Sequence, residues 1–320
     1  MLRGGLVAFP TETVYGLGAN AFDAEAVQRI FAAKGRPFND PLIVHVASED
    51  EVGMVAADFP AEARRLAEAF WPGPLTLLLP RHPALPAEVT AGLDTVAVRV
   101  PRHPVALGLL RACGFPLAAP SANRFGHTSP TTAEHVQEDL EGLVDVILDA
   151  GSTPVGIEST VLDLQTTPAV ILRPGGVTRE QLQAVIGTVA YAAPAERLAA
   201  SPGRQPRHYA PRAELVLIAG SSPADIAAHM SQQAQQLASA GRVVGLLAAS
   251  EVCQQLLAPP VPLFDLGSQD DALGIARRLF LGLRTLEGAP VDVILAHLVP
   301  PHGLGLAIND RLQRAARPTD

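Results

Sequence analysis

The sequence predicts an α/β protein of two domains, and three observations lead there. Short apolar runs of strand length alternate with helical periods along 320 residues, enough chain to bury two cores. After residue 187 the composition turns to Ala, Pro, Ser and Gly, and no apolar period returns until about residue 212. Beyond that point strand and helix alternate regularly, the pattern of a small Rossmann-like domain. The expected division is a first domain over residues 1–188, a linker over 189–212 and a second domain over 213–320.

Charge and composition narrow the classes of partner. A net charge of −8 argues against a general nucleic-acid coat, which needs a basic face, yet it is compatible with a local cationic cleft. No apolar run reaches membrane-spanning length and no basic, apolar leader opens the chain, so no membrane contact and a cytoplasmic location are expected. Cys113 and Cys253 stand far from each other and from any His-rich spacing, which speaks against zinc and against a disulfide framework.

In chain order, Gly5-Leu6-Val7-Ala8-Phe9 reads as a strand opening onto Pro10-Thr11-Glu12-Thr13-Val14-Tyr15-Gly16-Leu17-Gly18. Two hydroxyls, a carboxylate and flexible glycines there either present groups to a small ligand or form a plain turn before a helix from Asp23 to Ala33. That helix runs into Lys34-Gly35-Arg36-Pro37-Phe38-Asn39-Asp40-Pro41, and Lys34 is the only lysine in the chain. An ammonium is a compact point charge where a guanidinium is a wide fork, so its retention points to a crowded anion site. Gly35 lets the chain leave the helix, Pro37 and Pro41 stiffen the loop, and Leu42-Ile43-Val44 follows as a buried strand with His45 behind it.

A helix from Pro60 to Phe70 and a strand from Leu75 to Leu79 come next. Asp94 to Pro101 alternates as a strand with Thr95, Ala97 and Arg99 on one face, where Arg99 is either a surface residue or the floor of a polar cleft. Pro116-Leu117-Ala118-Ala119 is an apolar strand feeding Pro120-Ser121-Ala122-Asn123-Arg124-Phe125-Gly126-His127-Thr128-Ser129-Pro130. Its small polar side chains suit phosphate oxygens, or a turn that also caps the following helix. After a strand at Val144 to Leu148, Gly156 to Leu164 and Val170 to Gly176 form a hairpin with Ser159 and Arg173 at its ends, followed by a helix from Val177 to Ile186. Within the linker, Ser201-Pro202-Gly203 and His208-Tyr209-Ala210-Pro211 are too particular for a spacer, and long connections of this kind serve as lids. The second domain has no Gly-x-Gly-x-x-Gly after its first strand, so no dinucleotide is assigned to it.

With these motifs in hand the chain resembles the L-threonylcarbamoyladenylate synthase family in its long form, a YrdC-like catalytic domain followed by an extra C-terminal domain. The resemblance rests on Phe9 to Leu17, Lys34-Gly35-Arg36-Pro37, Ser121-Ala122-Asn123, Ile157-Glu158-Ser159-Thr160-Val161 and Leu172-Arg173-Pro174-Gly175. His208-Tyr209-Ala210-Pro211 matches the linker signature, and Gly303 to Arg314 matches the closing helix. It implies a YrdC-like twisted mixed sheet with an open cationic cleft, plus the Rossmann-like domain. The implied reaction takes L-threonine, bicarbonate and ATP, with Mg2+, to threonylcarbamoyl-AMP and pyrophosphate. The product would pass to a tRNA threonylcarbamoyltransferase, with at most a weak tRNA contact.

Carried over by motif, Thr13, His45, Arg99, the Ala119 backbone and Ser159 would hold threonine. Lys34, Arg36, Asp40, Thr95, Ser121, Asn123, Ser129 and Arg173 would surround ATP, with Tyr209 closing from the linker and Lys34 and Arg36 stabilising the developing charge. Two departures from the family pattern stand out. Only Met1-Leu2-Arg3-Gly4 precedes the first strand, where members carry a helix, and Arg207 stands where they often have a lysine. Two other readings remain: a double-stranded RNA or tRNA binding module without chemistry, and a carbamoyltransferase of the related maturation family, which adds cysteine-rich zinc modules absent from this sequence.

Overall fold

A computed structural model of the chain describes residues 1–192, 208–257 and 261–316. It divides into two units, one of Met1–Phe125 with Ser129–Gln205 and one of Gly126–Thr128 with Pro206–Asp320. Ser201-Pro202-Gly203, Pro206 and Arg207 of the expected linker lie outside the described residues.

Among the described residues, the first unit is built on ten strands. They are β1 (Val7–Pro10), β2 (Tyr15–Asn20), β3 (Ile43–His45), β4 (Leu75–Pro80), β5 (Thr95–Arg99), β6 (Leu117–Ala118), β7 (Val146–Ile147), β8 (Thr160–Asp163), β9 (Ala169–Arg173) and β10 (Val189–Tyr191). Their order is β10-β9-β8-β4-β5-β3-β6-β2-β1-β7. The sheet is mixed: β3 with β5 and β4 with β8 are parallel, whereas β4 with β5 and β8 with β9 are antiparallel. Its helices are α1 (Ala24–Lys34), α2 (Ala61–Phe70), α3 (Ala87–Thr90), α4 (Pro104–Cys113), α5 (Ala133–Leu140) and α6 (Arg179–Ile186).

Alternation along the strands sorts the two faces. Val44, Leu75, Leu77, Leu79, Val96 and Val98 join Val27, Ile30 and Phe31 of α1 and Leu66 of α2 in the main core. The residues between them look the other way: Ile43, Leu78, Ala97, Val161 and Leu172 form a smaller apolar patch on the opposite face. Thr95, Arg99 and His45 share that face by register. Helix α1 begins where the Asp23 carboxylate accepts the Ala26 N–H at 3.0 Å, and it ends at Gly35, whose φ of 63° is left-handed and costs a glycine least.

Several elements differ from expectation: Tyr15–Asn20, read largely as loop, is a strand pairing antiparallel with β1, and the short elements Ala87–Thr90, Ser250–Cys253 and Leu263–Asp265 were not read from the sequence. Val189–Tyr191, read as the start of the linker, adds a parallel edge strand to β9, with Val189 opposite Ala169. Three residues are too few to show a period, and the pairing with β9 closes across helix α6 rather than through a local turn. Helix α4 was not anticipated within its proline-flanked stretch. His103 caps it through the Val105 N–H, Pro104 sits at its first turn, and Gly114 closes it with φ 71°.

The second unit is a parallel sheet in the order β11-β14-β12-β13, formed by β11 (Glu214–Ile218), β12 (Val244–Ala248), β13 (Leu263–Asp265) and β14 (Val293–His297). Its helices are α7 (Pro223–Ser239), α8 (Ser250–Cys253), α9 (Ala272–Gly288) and α10 (Gly305–Ala315). Ile226 and Met230 of α7 pack on Val244, Leu246, Val293 and Leu295 of the sheet. The strand–helix alternation read from the sequence is thus the fold of this unit. Among the described residues, no helix is long and apolar enough to cross a membrane.

Candidate active site

Arg99 closes β5 directly opposite His45 of β3, so both side chains stand beside the small apolar patch. Arg99 is buried, and its Nη2 lies 2.7 Å from Glu12 Oε1. Its Nη1 donates to Thr13 Oγ1 at 3.0 Å and its Nε to the Gly73 carbonyl at 3.2 Å. Glu12 Oε2 accepts the Arg102 N–H at 3.0 Å. The loop after β1 is itself a hydroxyl-stabilised turn: Thr11 Oγ1 accepts the N–H groups of Thr13 and Val14 and donates to the Val14 carbonyl at 2.6 Å. The loop is therefore an ordered turn folded onto Arg99.

His45 is buried edge-on to Phe9, with ring centroids 6.0 Å apart. Burial, then the Arg99 charge, hold its imidazole down at about 3, so it is neutral at physiological pH. In the unfolded chain this histidine takes its proton near 6.5, so the unfolded state binds more protons as pH falls below that value. The folded state should lose up to about 5 kcal/mol from this residue between pH 6.5 and 3. Urea midpoints of wild type and His45→Gln should converge on acidification; parallel pH profiles would contradict the assignment.

Lys34 ends α1. Its Nζ donates to the Ser121 carbonyl at 2.6 Å and to the Asn123 carbonyl, while its own carbonyl accepts the Phe125 N–H at 2.8 Å. Burial first, then the Arg36 charge, press its pKa well below the usual 10.5. Arg36 is buried too, with Nη2 3.0 Å from Asp40 Oδ2, Nε on the Asp40 carbonyl at 3.2 Å and Nη2 on the Pro41 carbonyl at 2.9 Å. The loop was expected to display two cations. Instead both turn inward, Arg36 against its own loop carboxylate and Lys34 against the carbonyls of the Ser121–Asn123 stretch. An amine-acylating reagent should modify the native N-terminus and reach Lys34 only on unfolding, read by mass spectrometry. Labelling of native Lys34 at the rate of a free amine would contradict this burial.

Ser159, just before β8, and Arg173, ending β9, are brought together by the hairpin. Arg173 donates to the Ser159 carbonyl through Nε and Nη2, at 3.1 and 3.0 Å, and to Ser159 Oγ at 3.1 Å. Ser159 Oγ also lies 2.8 Å from Thr76 Oγ1 of β4. A Cβ on Gly175 would sit 2.4 Å from the Glu158 carbonyl oxygen, so this close approach requires glycine. The Ser129 hydroxyl donates to the Glu158 carboxylate. Ala119 donates its N–H to the Ile43 carbonyl at 2.8 Å, and Thr95 opens β5 on the Arg99 face.

The contacts join the anticipated residues into groups: Thr13, His45 and Arg99; Ser159 and Arg173; Lys34, Ser121 and Asn123; Arg36 and Asp40. Tyr209 belongs to the second unit, where it is buried at φ 63°. Its ring centroid lies 5.8 Å from that of Phe280 and 5.1 Å from the Arg311 guanidinium. Glu12, Glu158 and Thr76 were not among the anticipated site residues. The two glutamates stand inside the quoted motifs, and Thr76 is the one hydroxyl in the apolar run Leu75–Leu79, which was the available signal. Among the described residues no group of three or more His, Cys, Asp or Glu could hold a metal.

Residues 1–175 match the family model Sua5/YciO/YrdC, described as "Telomere recombination", and residues 177–317 match "Threonylcarbamoyl-AMP synthase, C-terminal domain". A threonylcarbamoyl-AMP synthase of Pyrococcus abyssi is 46% identical over 98% of this chain and 91% of its own length. One of Bacillus subtilis is 46% identical over 97% of this chain and 89% of its own. Among solved structures, P. abyssi Sua5 complexed with L-threonine superposes with a TM-score of 0.91 at 44% identity, covering 98% of this chain and 91% of that one. On the match of both domain models and of full-length relatives, this chain belongs to the threonylcarbamoyl-AMP synthase family.

Proposed function

We propose that this chain makes threonylcarbamoyl-AMP from L-threonine, bicarbonate and ATP. The threonine amine takes up the carbon of bicarbonate with loss of water, giving a carbamate. A carbamate oxygen attacks the α-phosphorus of ATP, and pyrophosphate leaves. No covalent protein intermediate is needed, so the protein's task is alignment and stabilisation of charge.

The observation that carries this reading is the Arg99 cluster. A buried guanidinium, fixed by Glu12, Thr13 and Gly73 beside neutral His45, suits an amino-acid carboxylate with its amine and hydroxyl nearby. The P. abyssi relative complexed with L-threonine supports threonine as that amino acid. In this reading Thr13, His45, Arg99, Ala119 and Ser159 hold threonine. ATP lies toward Arg36, Asp40, Thr95, Ser121, Asn123, Ser129 and Arg173, and Lys34 fixes the loop that meets its phosphates. The chain is organised as catalytic domain, linker and C-terminal domain. Mg2+ fits as an ion carried by the phosphates, since it usually binds through one or two protein oxygens and no dedicated carboxylate cage is found among the described residues. It supplies charge neutralisation there. The product goes on to tRNA modification.

Pyrophosphate release from MgATP tests the reading. It should require both L-threonine and bicarbonate; release independent of either would sink it.

A further inference from the structure

The second unit is not one continuous stretch. It takes in Gly126–Thr128, three residues from the middle of the loop that carries Ser121, Asn123 and Ser129. Three contacts hold that tripeptide within the second unit. The Ala210 N–H donates to the Gly126 carbonyl at 2.9 Å, and Ala210 pairs with His127 as an isolated parallel bridge. Arg284 Nη2 donates to the Thr128 carbonyl at 2.6 Å in a buried bond. His127 Nε2 lies 2.8 Å from Glu287 Oε2 and 3.1 Å from Oε1.

Glu287 is the hub of this arrangement. Its side chain is 5% exposed, and besides His127 it accepts the Arg212 N–H at 2.6 Å and Arg212 Nε at 2.9 Å. Burial raises its pKa, but the bond from His127, that ring's charge and the contacts from Arg212 outweigh it and hold the carboxyl at about 2. Arg284 and Glu287 are three residues apart on α9, so one turn of one helix meets consecutive residues of the tripeptide. On either side of it the chain is anchored in the first unit, through the Phe125 N–H on the Lys34 carbonyl and the Ser129 hydroxyl on Glu158. A loop fixed at such close intervals has few alternative courses.

We propose that Glu287 is a positioning residue for the nucleotide loop, acting through His127 to set the course of residues 121–129 and hence the affinity for ATP. It rests on the reading above in placing Ser121, Asn123 and Ser129 toward the nucleotide. A loop that holds its binding course only a tenth of the time binds about tenfold more weakly, with no lost ligand contact.

The test uses the full chain, with MgATP binding measured by calorimetry and turnover measured as pyrophosphate release. Glu287→Ala and His127→Ala should each weaken ATP binding about tenfold, while the KM for threonine stays within about twofold. The double variant should be no worse than either single one, because both break one contact. Glu287→Gln keeps an acceptor for His127 and should recover most of the affinity. Arg212→Ala removes a partner whose side chain is 82% exposed and should change nothing. Cooperative melting of each variant checks its fold, and His127→Ala carries the test if Glu287→Ala does not fold. Wild-type ATP affinity in folded Glu287→Ala or His127→Ala, or additive losses in the double variant, would overturn the inference. A wild-type chain that binds MgATP but releases no threonine-dependent pyrophosphate would overturn the proposed reaction instead; one that binds no MgATP would overturn both.

Discussion

Arg99→Ala should reduce kcat/KM for threonine by about a hundredfold or more, with the KM for ATP much less affected. Two effects combine at this position. The guanidinium that would meet the substrate carboxylate is gone, and Glu12, buried 2.7 Å from it, loses its counter-ion. Breaking a buried pair by removing one partner costs about 3–5 kcal/mol, so this variant should also melt at lower temperature. Pairing it with Glu12→Gln should restore much of the stability and none of the activity, because the amide needs no counter-ion but offers nothing to a carboxylate. Arg99→Lys keeps the charge without the planar fork and should recover little. Substantial threonine-dependent turnover in Arg99→Ala would remove this residue from the site.

Lys34→Met should lose about 3–4 kcal/mol of transition-state stabilisation, roughly a hundredfold or more in turnover. Methionine nearly fills the space of the lysine stem but gives no donor to the Ser121 and Asn123 carbonyls. The Ser121–Asn123 stretch is then untied from the end of α1. Lys34→Arg should rescue poorly, since a wide fork cannot enter a slot shaped for one nitrogen. A pH signature accompanies the loss. Lys34 is depressed in the folded state, so the unfolded chain binds the extra proton between that lowered value and the ordinary 10.5. Folding stability therefore rises with pH across that window, and the rise should vanish in Lys34→Met. Unchanged turnover in Lys34→Met would show that the tie to the loop is dispensable.

Local chemistry was legible in the sequence. Asp23 and Gly35 mark both ends of α1, the alternation over Thr95–Arg99 gives β5 its two faces, and the turn-rich spacing after Ser159 predicts the β8–β9 hairpin. What could not be read was pairing across distance. Lys34 and Asn123 are 89 residues apart, and nothing local says that the ammonium will meet backbone carbonyls there. Nor did the sequence say that Arg36 and Asp40 would pair with each other, which follows because a proline-bounded loop brings positions i and i+4 together without a helix. Thr76 looked like one hydroxyl in an apolar strand until β8 aligned beside β4 and brought Ser159 to it. The loop after β6 hid the most: its three central residues belong with a unit that begins some eighty positions later.

The most direct test of the central claim is the mass of the adenylate formed with 13C-bicarbonate. Mixed with L-threonine, MgATP and labelled bicarbonate, the enzyme should yield threonylcarbamoyl-AMP carrying one heavy carbon, with one pyrophosphate released per adenylate. An unlabelled threonyl-AMP would mean that the threonine carboxylate itself attacks phosphorus. That result would contradict the account, since a carbamate would play no part and the Arg99 cluster would have to release the carboxylate it is proposed to hold.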